Sequence, residues 1–172
     1  MKKTAVKLVA LVATALLLLS GCGTSSAGVA ATVGAKQISV AQVAAVARVI
    51  AANSPDSPDW GKWRSSVVQV MVISQLGAVV EQQAGVTVPE LQRQQVYAQN
   101  DLYKALAKDP ASADFMSGFA DVTVLLSSSK YQPLFTTVVG QVPVKVNPVF
   151  GEWDASKAQL TGQTGSLSKA LS

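Results

Sequence analysis

The chain has 172 residues, 49% of them hydrophobic and 14% charged, with one cysteine and no histidine. Without histidine the Ser-His-Asp and Cys-His arrangements, the usual zinc sites and the commonest general base near neutral pH are all excluded. The formal charge of +4 does not point to nucleic acid: of 14 Lys+Arg, three lie in the first seven residues, and the remaining eleven are scattered singly against ten carboxylates.

Lys2, Lys3 and Lys7 precede an apolar run over residues 8–19 that only Thr14 interrupts. A basic head before such a run is the anatomy of a secretory signal peptide. The run is about a dozen residues, short of the roughly 20 a membrane span needs. It closes on Leu19-Ser20-Gly21-Cys22. That sequence resembles the lipobox of bacterial lipoproteins, and the resemblance implies cleavage after Gly21 and acylation of Cys22. The competing reading is an ordinary signal peptide, or an uncleaved anchor, with a chance cysteine. Taking 1–21 as signal peptide and 22–28 as lipidated cysteine and flexible tether leaves 151 residues from Cys22 onward. That length suffices for one domain with its own core.

Residues 29–38 read as extended, with a reversal at Gly34-Ala35. Ser39 and Gln42 form a capping box at the start of a first helix, whose apolar face is Val43, Val46, Ala47 and Ile50. Asn53 to Pro58 breaks it. A second helix, about 62–83, is apolar around much of its circumference, as expected of the buried centre of a bundle, and Gly85 stops it. Thr87-Val88-Pro89-Glu90 predicts a capped start to a third helix running to Lys108. A fourth follows Asp109-Pro110 with Phe115, Phe119, Val122 and Leu126 facing inward, then a short helix over 133–139. Val142, Val144 and Val146 alternate as a strand does, and Pro143 restricts that strand to an edge. The expected fold is mainly α. Four to five helices surround the 62–83 helix, and a short two-stranded β ribbon pairs 29–38 with 142–150. Residues 29–154 form the domain and 155–172 a flexible tail.

The order of these elements is similar to SurA-like chaperones. Residues 31–39, Ala-Thr-Val-Gly-Ala-Lys-Gln-Ile-Ser, resemble the family's opening strand, turn and helix start, with Gly34-Ala35 where Asn-Gly is usual. The apolar helix followed by Gly85-Val86-Thr87-Val88 resembles the family's long helix and its Gly-Ile-Thr-Val-Ser step. Residues 144–154 look like the closing segment of SurA-like lipoproteins of high-GC Gram-positive bacteria, with Val149 where a basic residue is common. The parvulin isomerase domain of many relatives has no counterpart. The resemblance implies a chaperone-like, non-catalytic binding domain.

Two tryptophans, Trp60 and Trp63, lie beside Lys62 and Arg64. They either grip apolar segments of client chains or cover the end of the bundle. The same alternatives hold for Phe115, Met116 and Phe119. The expected function is a lipid-anchored, extracytoplasmic protein that holds unfolded or exported polypeptides. An adaptor that docks one folded partner, and a small-molecule-binding lipoprotein, are the competing readings. No catalytic residue, metal, cofactor or nucleic-acid partner is expected.

Overall fold

The computed structural model describes residues 28–162. The leader, the lipobox residues Leu19, Ser20 and Gly21, and Cys22 lie outside the described residues, as do residues 163–172. Two short strands open the body, β1 (Val29–Val33) and β2 (Lys36–Ser39), turning at Gly34 with φ +57°. Six helices follow among the described residues: α1 (Val40–Ala52), α2 (Trp60–Ala84), α3 (Glu90–Tyr97), α4 (Asp101–Lys108), α5 (Ala113–Ser127) and α6 (Gln132–Gln141). The chain ends in β3 (Val144–Val146), a 3-10 turn over Pro148–Phe150, and a hairpin of β4 (Glu152–Asp154) and β5 (Gln159–Thr161). The fold is mainly α, as the periodicities predict.

The centre is α2. It packs against α1, α5, α6 and the first sheet, and Val67, Val68, Val72, Leu76 and Val80 along it are all essentially inaccessible. It is the one described helix long and apolar enough to cross a membrane, with a mean hydropathy of 1.2 over its most apolar stretch. Here neighbouring helices cover it instead. Glycines let α5 come close: a Cβ on Gly77 would lie 3.2 Å from Val122, and one on Gly118 would lie 3.0 Å from Ser74. A Cβ at either position would force its neighbour to give by a few tenths of an ångström.

Side-chain caps open three of the six helices. Ser39 and Gln42 make the expected reciprocal box at α1. Asp59 caps α2 by accepting from the Gly61 N–H, and Gly85, at φ +62°, ends it. The third helix differs from expectation. It is broken at Ala98 to Asn100, where the Asn100 side chain accepts from the Tyr103 N–H and starts α4 afresh. Thr87 makes no cap at α3, because Pro89 sits extended at that position without a side-chain bond and the Glu81 carboxylate takes the Val88 N–H. The break divides the expected third helix in two, so the described residues hold six helices, α2 and five others.

The ribbon is also larger. Sheet order is β2-β1-β3, all antiparallel, with Ala31 opposite both Ile38 and Val146. The two ends of the domain do pair, but the opening hairpin supplies a third strand. The C-terminal strand ends at Val146: Asn147 still donates its N–H to the Ala30 carbonyl, but its side chain caps the 3-10 turn and leads the chain away. The expected tail beyond 154 is partly ordered. In the β4–β5 hairpin Leu160 is 5% exposed, and its N–H donates to Gln69 of α2. One large apolar residue among polar ones was enough to hold that segment down.

Gly151 sits between the 3-10 turn and β4 at φ +122°, and a Cβ there would lie 2.8 Å from the Thr161 carbonyl oxygen. Gly151→Ala should lower unfolding free energy by about 2 kcal/mol or more in denaturant titrations, from backbone strain plus the clash. In the same titrations Gly140→Ala in α6, with nothing within 4 Å of the added carbon, should be neutral or gain up to about 1 kcal/mol.

Candidate functional site

Spacing of apolar residues on three helices builds one pocket. On α2, Trp63, Val67 and Val70 recur one turn apart, while Phe115 and Phe119 do the same on α5. Leu102, Tyr103 and Leu106 of α4 close the third side. The result is an open depression of about 180 Å³ with an almost wholly apolar lining. Tyr103 and Phe119 meet edge to face, with ring centroids 5.2 Å apart, which fixes the wall between α4 and α5. The Trp63 indole N–H donates to the Ser57 carbonyl at 3.0 Å, so the ring is pinned by the turn before α2.

Four of the five sequence-predicted binding residues, Trp63, Phe115, Met116 and Phe119, thus meet at one place. Met116, 1% exposed, forms the floor of the pocket and belongs to the core beneath it. Trp60 is outside the pocket, 37% exposed, with the guanidinium of Arg48 4.8 Å from its ring centre and that of Arg64 5.6 Å away. Leu102, Tyr103 and Val70 were missed. The missing signal was the break at Asn100, since only a separate α4 turns Leu102 and Tyr103 toward α5.

Phe115 also borders a second cleft of about 200 Å³, whose other lining includes Gln37, Gln42, Glu81, Asp114 and Asp121. Its acids are largely committed to structure. Asp121 accepts from Arg93 at 2.6 and 3.2 Å, bolting α3 to α5, and this pairing drives the Arg93 pKa up. Burial pushes the Glu81 carboxyl above its ordinary range, opposed by the Val88 N–H it accepts. Among the described residues no group of three or more carboxylate or cysteine side chains could hold a metal.

No family model matches the chain, and no curated protein or solved structure compared with it does either. The pocket itself is therefore the basis for a function.

Glu81 gives a pH-dependent expectation. Its folded pKa lies above the unfolded one, so its burial costs stability once pH rises past the folded value. Below the ordinary value of 4.5 it is protonated in both states and costs nothing. Glu81→Gln keeps an acceptor for Val88 and should stabilise the protein at pH 7. That gain should shrink toward zero as denaturation is repeated at falling pH.

Proposed function

We propose that this is a lipid-anchored, extracytoplasmic, non-catalytic protein that holds partly unfolded or exported polypeptides by taking their apolar side chains into the Trp63/Phe115/Phe119 pocket. The observation that carries the reading is the pocket's chemistry: open to solvent, nearly free of polar lining, and walled by aromatic side chains. A cavity of about 150 Å³ lined by apolar side chains suffices to bind benzene. A site of about 180 Å³ therefore takes one large apolar side chain. With no polar group to impose a hydrogen-bonding pattern, it selects for greasiness and size, as a holder of varied chains requires. An enclosed site with convergent polar groups would have favoured a small-molecule ligand instead. The leader and Cys22 support the location, and two or three acyl chains would make attachment stable. The likeness to SurA-like chaperones rests on the sequence motifs at residues 31–39, 85–88 and 144–154.

Ser66 is exposed at the pocket rim, so Ser66→Trp should fill the site with little effect on the core. Its binding of a fluorescent phenylalanine-rich peptide should weaken about tenfold, equivalent to about 1.4 kcal/mol. Its suppression of aggregation of a denatured model protein should fall in step. Unchanged affinity would remove the pocket from the mechanism. In cells, Cys22→Ala should move the protein from the membrane fraction to the medium, read by fractionation and blotting.

A further inference from the structure

Three large apolar side chains are exposed among the described residues: Trp60, Leu91 and Val149. Two of these, Trp60 and Val149, are linked through Arg64, which stacks on Trp60 and on Phe150, the residue after Val149. Val149 is 71% exposed and adjoins Phe150, whose buried ring lies 4.8 Å from the Arg64 guanidinium. Arg64 in turn reaches Trp60, and Arg48 reaches Trp60 from α1. The Arg64 Nε is buried without a hydrogen-bond partner. The ion pairs among the described residues involve Arg93, Lys104 and Lys157, so Arg48, Lys62 and Arg64 have no carboxylate within 4.0 Å. All ten carboxylate side chains of the sequence fall within residues 28–162. Nearby acids are Asp56 in the turn, Asp59, which is occupied with the Gly61 N–H, and exposed Glu152.

The same surface adjoins the point where the chain leaves the body. Asn147, three residues before Phe150, donates from its side chain to the Val29 carbonyl and from its backbone to the Ala30 carbonyl. From Cys22 to Val29 the chain can span at most about 25 Å. A tether of that length puts a face near Val29 within reach of a bilayer that holds Cys22. We propose that the Arg48–Trp60–Arg64 face, with Val149 at its edge, rests on anionic phospholipid headgroups and sets the orientation of the anchored body. This rests on the lipid-anchor reading above. The indole suits the headgroup level, and the unpaired cations suit anionic lipid. Three cations beside two or three acids bind weakly alone. A short tether raises the local concentration to the millimolar range, where a weak face is enough.

The chain from Cys22 onward carries every core residue, since these run from Ala30 to Leu160. Cys22 is also the sole cysteine, so this chain can be coupled through its thiol to a maleimide-headgroup lipid in vesicles. The coupling bypasses cellular acylation. If Cys22→Ala stayed in the membrane fraction, the anchor reading would fail while the vesicle result stood on its own. The readout is quenching of tryptophan fluorescence by lipids spin-labelled near the headgroup, with Trp60→Phe giving the share due to Trp60. On vesicles with about a third phosphatidylglycerol that quenching should exceed the phosphatidylcholine value by about twofold or more, and fall back in about 0.5 M salt. Arg48→Glu/Arg64→Glu should abolish the excess. The salt series on the unaltered chain tests the same point if that variant folds poorly. Equal quenching on both vesicles, or quenching indifferent to salt, overturns the proposal.

Discussion

Burial of the valine-rich face of α2, through Val67, Val68, Val72, Leu76 and Val80, is the constraint from which the other features follow. A 25-residue helix this apolar has two ways to escape water, a bilayer or a jacket of protein. The jacket here is α1, α5 and α6 with the small sheet at one end. Valines dominate its contact surface, and Gly77 and Gly118 let α5 approach to within side-chain contact. Close approach at one level of α2 leaves the helices free to splay at another. Near Trp63 and Phe115 the walls are aromatic and the gap between them is not filled.

What the sequence made legible was local. Ser39 with Gln42, and Gly34 and Gly85 at positive φ, each act within a few residues and are where pattern reading placed them. The misreadings came from competition between distant groups. Thr87 and Glu90 have the spacing of a capping box, yet Pro89 takes the N-cap position, and Arg93 and Gln94 take the Glu90 carboxylate. Nothing in the linear order of residues ranks those alternatives. The β4–β5 hairpin was hidden for a related reason. Leu160 stands alone among polar residues, and only its place against α2 shows that a single buried leucine closes the strand pair.

The pocket was half legible. Aromatic spacing on α5 named Phe115 and Phe119, and the Trp-rich start of α2 named Trp63. Periodicity cannot tell a residue that lines a cavity from one that floors it, as Met116 shows at 1% exposure beside partly exposed Phe115. Trp60 and Trp63 differ in the same way. Three residues apart on one helix, one is pinned by the Ser57 carbonyl at the pocket and the other faces two arginines at the surface.

The central strand β1 is made first and completed last. Its outer partner β3 lies at the far end of the body, with all six described helices between them. A chain made in order must leave one edge of β1 unpaired, and the apolar side of α2 behind it less covered, until Val146 has been made. Long-range pairing of this kind is slow and leaves greasy surface uncovered meanwhile. For that interval the sheet lacks one of its three strands, and the sequence distance between its first and last strands sets how long the gap stays open.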